Sequence, residues 1–180
     1  MTEPLVGFRP MGRADLSDVM RWLREPHVVR WWSAVNPDAQ LASYQARMDG
    51  TDPTRMWIIE VNGRSIGFVQ DYRIGDHPEF AILTGQPDAI GFDYAIGEPP
   101  FVGRGIGTLV LRRFLRDVVR PHYPDATTYF AAPDHRNVAS LRVLEKLGFE
   151  QGLWFDEPQR DGGTATVVGC TLDATLVTGW

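Results

Sequence analysis

The sequence predicts an α+β, or mixed α/β, fold, and three observations carry that class. Asn62-Gly63, set between two apolar runs, marks a tight hairpin. Residues 90–96 alternate as a strand does: Ile90, Phe92, Tyr94 and Ile96 face one way, Gly91, Asp93 and Ala95 the other. That strand runs into a glycine-rich loop and an apolar-periodic helix, after which another strand, another helix and a closing hairpin follow. Antiparallel hairpins mixed with helices that return to a sheet give the class.

Taken in order, residues 5–10 read as a first strand. Residues 15–23 have helical apolar spacing (Leu16, Val19, Met20, Leu23), and a short helical stretch covers 26–32. Asp38 is expected to cap a helix reaching Met48. Strands 55–61 and 65–72 flank the Asn62-Gly63 turn. Residues 74–89, rich in Gly, Pro and Asp, read as turns. The helix after the glycine loop runs over 105–119, and Pro121 ends it. Residues 127–132 form a buried strand. A helix over 137–147 has Asn137 as N-cap and Gly148 just past its end. Residues 149–156 and 164–172 close the fold through a turn at Asp161-Gly162-Gly163. No internal repeat or linker divides the 180 residues, so one domain is expected over 1–180.

Composition bounds the function. Hydrophobic residues at 43% and charged residues at 23% fit a globular protein. Cys170 is the one cysteine, which excludes an intrachain disulfide and favours a reducing, cytoplasmic setting. No signal-peptide core and no run able to span a membrane is found, so no membrane partner is expected. The net charge of −5 argues against nucleic acid as a partner. From Asp71 to Glu98 there are six acids and one base, Arg73; from Arg104 to Arg120, five arginines face Asp117. Charge runs are usually solvated faces; the functional alternative is a cationic substrate beside an anionic cofactor.

Gly103, Gly105 and Gly107 followed by a helix start make a candidate phosphate cradle, because first-turn N–H groups point at an anion with the helix dipole behind them. Nucleotide signatures fail on spacing. GxGxxG would need glycine where Thr108 or Val110 stands, and a phosphate-loop lysine is impossible because the only lysine is Lys146.

Three ordered pieces decide which anion site this is: the strand 91–96, the loop 102–107 and the segment 137–149, which ends in Gly148-Phe149. Together they resemble the GNAT superfamily of acyl-CoA-dependent N-acyltransferases, over about residues 5–172. Trp31-Trp32, the 66–72 stretch and Gly91-Phe92-Asp93 just ahead of the loop are most similar to the aminoglycoside 6′-N-acetyltransferase branch. Residues 133–137 look like a related branch that acylates hydroxylysine-type siderophore precursors.

The resemblance implies a central mixed, mostly antiparallel sheet flanked by helices, with acetyl-CoA as cosubstrate. The pantetheine arm would pair with the edge at Tyr94, Ala95 and Ile96. The pyrophosphate would sit on backbone donors of Val102, Gly103, Arg104, Gly105, Ile106, Gly107 and Thr108. Asn137 would hydrogen-bond the pantetheine, or is only an N-cap. Val102 stands where the family's loop usually has Gln or Arg.

Asp93 is the candidate catalytic acid–base group. An amine arrives as ammonium and must lose a proton before attacking a carbonyl, and a carboxylate can both hold it and accept that proton. Main-chain N–H groups near Ile96 could polarise the thioester carbonyl. The family's usual tyrosine acid falls at Leu144 here; Ser140 and Tyr129 are the substitutes considered. Candidates for a small cationic amine substrate are Trp31, Trp32, Gln70, Tyr72, Glu79 and Asp134, with core packing the alternative for the two tryptophans. The aminoglycoside branch implies an acid near the place of Ala132, which is missing. His27, His77, His122 and His135 lack metal-ligand spacing, so no metal is expected, and Cys170 reads as core. A monomer or homodimer is expected. The readings kept open are an aminoglycoside 6′-N-acetyltransferase, a siderophore-precursor or protein N-terminal acyltransferase, and a non-catalytic CoA-binding module.

Overall fold

A computed structural model of the chain describes residues 3–32, 36–159 and 162–180; Asp161, assigned to the closing turn, lies outside them. In chain order the elements are β1 (Val6–Pro10), α1 (Leu16–Trp22), α2 (Pro26–Val29), α3 (Pro37–Met48), β2 (Arg55–Val61), β3 (Arg64–Arg73), α4 (Pro78–Thr84), β4 (Ile90–Ile96), α5 (Ile106–Phe114), α6 (Arg120–His122), β5 (Thr128–Ala131), α7 (Val138–Lys146), β6 (Glu150–Pro158) and β7 (Thr164–Asp173). The seven strands form one sheet in the order β1-β2-β3-β4-β5-β7-β6. The expected α+β class holds: the pairings β1/β2, β5/β7 and β6/β7 are antiparallel, while β4 and β5 run parallel.

The backbone divides into two compact units. The first comprises Met1–Gln70 and Asp93–Val110. Here β1 pairs with β2 from Val6 opposite Val61 to Pro10 opposite Trp57. Asn62 (φ 51°) and Gly63 (φ 76°) turn β2 into β3, the paired positive angles that a two-residue hairpin twisted with its strands requires. Val19 and Trp22 of α1, Val28 of α2 and Tyr44 of α3 pack on Met56 and Ile58 of β2, Phe68 of β3 and Ala95 of β4. The indole of Trp22, 1% exposed, anchors this core; truncating such a side chain costs ~3–5 kcal/mol.

The second unit comprises Asp71–Phe92 and Leu111–Trp180. β4 pairs with β5 through Ile90 with Tyr129 and Gly91 with Phe130. β7 lies between β5 and β6, and the β6/β7 register shifts between Gln151 and Trp154. Phe80 of α4 meets Phe130 and Phe155. Asn137 caps α7 by accepting from the Ser140 N–H at 3.2 Å, and Gly148 (φ 85°) ends it.

Three local expectations are corrected, and one element is added. Asn36, not Asp38, caps α3: its Oδ1 accepts from the N–H groups of Asp38 and Ala39 at 2.9 and 3.2 Å. Pro37 takes the first helical position, where its missing N–H costs nothing, and the cap falls two residues before Asp38. The 74–89 stretch contains a helix, α4, begun by Pro78 and ended by Gly85 in the left-handed region (φ 63°). Pro121 does not stop the chain's coiling. A π-type stretch, Leu115–Val119, widens the turn, and α6 carries Pro121 at a helix start that needs no N–H from it. Finally, a 3₁₀ segment, Ala174–Gly179, follows β7.

Candidate active site

In the first unit, β3 and β4 approach closely where Gly67 faces Ala95: a Cβ on Gly67 would run into the Ala95 carbonyl oxygen. One residue on, the N–H groups of Gly97 and Glu98 both donate to the Ile66 carbonyl, at 2.8 and 3.0 Å. Two residues set against one make a bulge, which bends a strand and re-aims its groups. The peptide linking Ile96 to Gly97 is trans, so its C=O points away from β3 when its N–H points toward it. His27 Nε2 meets that Ile96 carbonyl at 2.8 Å. A carbonyl only accepts, so His27 carries its proton on Nε2.

Asp93 is half-buried on β4 and Gln70, 6% exposed, is its partner on β3. Gln70 Nε2 donates to Asp93 Oδ2 at 2.8 Å. The other end of the same amide, Oε1, accepts from Arg47 Nη1 at 2.6 Å. Arg47 comes from α3, with Asp52 Oδ2 3.6 Å from its Nε and the Tyr44 ring 5.5 Å from its guanidinium carbon. Gln70 therefore has both ends of its amide engaged within the protein.

Glu98, just past β4, serves a different purpose. Its Oε1 accepts from Arg21 Nη2 at 2.6 Å and Trp22 Nε1 at 2.9 Å, and its Oε2 from Arg64 Nη2 at 3.1 Å. The Trp22 hydrogen bond first, then Arg21, hold its carboxyl below the usual glutamate range. This acid ties α1 and β3 to the end of the strand that carries Asp93.

The loop beyond β4 is exposed from Val102 to Gly105. Gly103 (φ 74°) and Gly105 (φ 76°) lie in the left-handed region, and a Cβ at either would meet nothing within 4 Å. The glycines are there for backbone conformation and leave open space above the loop. α5 begins immediately after, at Ile106, so Ile106, Gly107 and Thr108 supply first-turn N–H groups that have no partner within the helix. This fits a pyrophosphate.

The substrate candidates scatter. In the first unit Trp31 and Trp32 are both half-buried, and the Trp32 ring lies edge-on to Phe68 at 4.9 Å. In the second, Tyr72 lies over Gly91, where a Cβ would strike its ring, and meets His77 at 5.0 Å. Glu79 is exposed in the first turn of α4. Asp134 pairs bidentately with Arg136, whose hydrogen bond holds its carboxyl low.

A model of the GNAT acetyltransferase domain matches residues 12–156. The chain belongs to the GNAT acetyltransferase family. It is an acyl-CoA-dependent N-acetyltransferase. Aminoglycoside N(6′)-acetyltransferase type 1 of Klebsiella pneumoniae is 26% identical over 151 residues, covering 81% of this chain and 74% of that one. N-hydroxyputrescine acetyltransferase of Acinetobacter baumannii is also 26% identical, covering 81% of this chain and 65% of the relative. Lysine N-acyltransferase MbtK of Mycobacterium sp. (strain MCS) is 29% identical over 75% of this chain, which spans only 55% of that enzyme. Among solved structures, aminoglycoside acetyltransferase AAC(6′)-Ib in complex with coenzyme A superposes with TM-score 0.80 at 24% identity, over 97% of this chain and 98% of that one. An uncharacterised Bacillus halodurans protein gives TM-score 0.83 at 18% identity, over 98% and 88% of the two chains.

Against the GNAT pattern, Leu144 is 1% exposed and belongs to the core, so the family's usual acid position offers no proton here. Tyr129, one of the substitutes considered, is fully buried; burial pushes its phenol up, and its hydroxyl has no hydrogen-bond partner among the described residues. Ser140 sits in the first turn of α7, its N–H bonded to Asn137. Cys170 is buried in β7 and pushed up to about 11 by that burial, which fits core rather than nucleophile. Among the described residues no three His, Cys, Asp or Glu side chains are placed to hold a metal, and no helix is long and apolar enough to cross a membrane.

Sequence reasoning missed Arg47, His27 and Glu98 as parts of the site. Only Arg47 left a signal: Gln40, Tyr44 and Arg47 recur at helical spacing on one face of α3, and a polar face at that spacing that turns inward needs partners.

Proposed function

We propose that this GNAT enzyme acetylates a primary amine of a small polycationic acceptor, an aminoglycoside 6′-amine, with Asp93 as the catalytic base. The Gln70–Asp93 hydrogen bond carries the proposal, because it fixes a carboxylate on the β4 strand immediately ahead of the glycine loop. Acetyl-CoA supplies an already activated acyl group, so positioning accounts for much of the rate.

Asp93 pairs with the incoming ammonium and takes its proton, directly or through water. The neutral amine then attacks the thioester carbonyl with no acyl-enzyme. Main-chain N–H groups of β4 between Tyr94 and Ile96 stabilise the negative charge that develops on the acyl oxygen. Solvent protonates the departing thiolate, since Leu144 offers no acid. Tyr94, Ala95 and Ile96 hold the pantetheine as an added strand, and Val102 to Thr108 hold the pyrophosphate. Trp31, in the same unit as Asp93, provides aromatic surface for the acceptor's rings and ammonium groups.

The second reading, a siderophore-precursor acyltransferase, is favoured by the similarity to the N-hydroxyputrescine and lysine enzymes at 26% and 29% identity. A thiol-release assay separates the two. Acetyl-CoA is offered with kanamycin, tobramycin, plain polyamines, N-hydroxyputrescine and lysine derivatives, and longer acyl-CoAs follow with each active acceptor. Saturable turnover on aminoglycosides bearing a 6′-amine, lost on derivatives without it, supports the first reading. Turnover confined to the hydroxylated or amino-acid amines, or a preference for long acyl chains, replaces it with the second.

A further inference from the structure

Arg47 is an unexpected residue to find under a sheet. Its side chain is 12% exposed, and burying a guanidinium costs several kcal/mol unless hydrogen bonds restore what water provided. The restoration is incomplete, because its buried Nε has no hydrogen-bond partner among the described residues. The nearby Asp52 oxygen, 3.6 Å from that nitrogen, makes an ion pair but lies beyond hydrogen-bonding range. A cation placed to hold α3 to the following loop would close on Asp52. The short bond instead goes to Gln70, at 2.6 Å.

We infer that Arg47 is a positioning residue for Asp93 and acts through the Gln70 amide; the inference rests on the reading of Asp93 as catalytic base. The chemistry of the three groups allows one arrangement. Arginine only donates, so the amide atom facing it must be Oε1. Nε2 is thereby turned toward Asp93, whose ionised carboxylate only accepts. Without the guanidinium, nothing at Oε1 opposes a flip that would set oxygen against carboxylate oxygen. The cation also polarises the amide it binds, and hydrogen bonds in series strengthen one another in a low-dielectric setting.

Arg47 thus does two things at a distance of one side chain. It fixes the plane of the Asp93 carboxylate, and it favours the ionised form that a base requires. Among the described residues, Arg47 has Asp52 at its Nε and the Tyr44 phenol ring beneath its guanidinium. Asp52 and Tyr44 touch Arg47 rather than Gln70, so removing Arg47 removes the one positive charge in the series. The relay gives Gln70 a role beside Asp93, since each end of its amide already holds a partner.

The test compares the parent enzyme with Arg47→Met, Arg47→Lys, Gln70→Leu and the double variant Arg47→Met/Gln70→Leu. Arg47→Met is expected to lower kcat about 10- to 100-fold, as for a misplaced catalytic group, with KM for acetyl-CoA unchanged. The acid limb of its pH profile moves to higher pH, and Arg47→Lys restores most of both. Gln70→Leu gives the same shift, and the double variant adds nothing, as expected for residues acting in series.

A second readout needs no acceptor. The carboxyl carbon resonance of Asp93, assigned by its loss in Asp93→Asn, titrates at higher pH in Arg47→Met than in the parent. An unmoved resonance overturns the relay, as does additivity of the two single variants. If Asp93→Asn turns over at the parent rate, the catalytic reading of Asp93 falls instead, and the carboxyl titration still decides whether Arg47 governs that group.

Discussion

Trp22 Nε1 donates to Glu98 Oε1 at 2.9 Å, and through it α1 is tied to the residue that closes the β4 bulge. The same indole lies against Gly97, where any Cβ would collide with it. A large side chain, a glycine and a buried acid thus lock one end of the strand that carries Asp93. The site is rigid there for reasons of packing and charge together.

That lock has a pH signature. Glu98 is held below its ordinary value of 4.5, chiefly by the Trp22 hydrogen bond and then by Arg21. A depressed carboxyl contributes stability in full above its unfolded value and loses it as pH falls through the folded one. Glu98→Gln is therefore expected to lower Tm at pH 7, by the ~2 kcal/mol typical of a hydrogen-bonded charge, or about 4–8 °C at this chain length. The gap to the parent narrows below pH 4. Melting curves at pH 7, 5 and 3 check it, and a gap that is constant with pH would show that the charge is not what Glu98 contributes.

Asp93→Asn keeps the shape and the hydrogen-bonding capacity toward Gln70 while removing the base. The expected loss is about 10²- to 10⁴-fold in kcat, with acetyl-CoA affinity retained and Tm close to the parent. Steady-state kinetics with calorimetric titration of acetyl-CoA separate the two quantities. A loss of affinity without loss of kcat would move Asp93 from chemistry to binding.

Gly105 tests the cradle. At φ 76° an L residue is strained by ~1–2 kcal/mol, yet a Cβ there meets no neighbouring atom. Gly105→Ala should therefore act on the loop's shape rather than through a clash. KM for acetyl-CoA is expected to rise about 5- to 30-fold, equivalent to that strain, while kcat at saturation changes little. Equal affinity in the variant would remove this loop from phosphate binding.

Much of this architecture could be read from local signals. The Asn62-Gly63 turn, the alternation of β4, the Asn137 cap and the Gly148 stop each depend on residues adjacent in sequence. The misses have the opposite character. Pro37 moved the α3 cap from Asp38 to Asn36 because a proline at the first helical position outranks an acid at the second. The composition of 74–89 spelled turns, yet Pro78 and Gly85 are also the two ends of a short helix. At the site, the glycine loop was visible as a motif and Asp93 by its place ahead of it. Arg47, 23 residues from Gln70, and Trp22, 76 residues from Glu98, were not, since only the fold brings those pairs together. Glu98 is one of six acids in a charge run; in the structure it is buried, as Asp71 is, and accepts from three donors.

Leu144 makes the handling of the leaving thiolate testable. With the position 1% exposed, a tyrosine placed there would have to overpack the core, at ~1–3 kcal/mol. Its hydroxyl would then need a partner in apolar surroundings. Leu144→Tyr is therefore expected to lower Tm by several degrees and to leave kcat no higher than in the parent. The thiolate of coenzyme A is a good leaving group at neutral pH, so in the proposed mechanism its protonation by water is not expected to limit turnover. A solvent isotope effect near unity on kcat for the thiol-release step, in parent and variant alike, is the matching kinetic result. A rise in kcat with Leu144→Tyr would mean that this core can open to admit an acid, and that the reaction had been waiting for one.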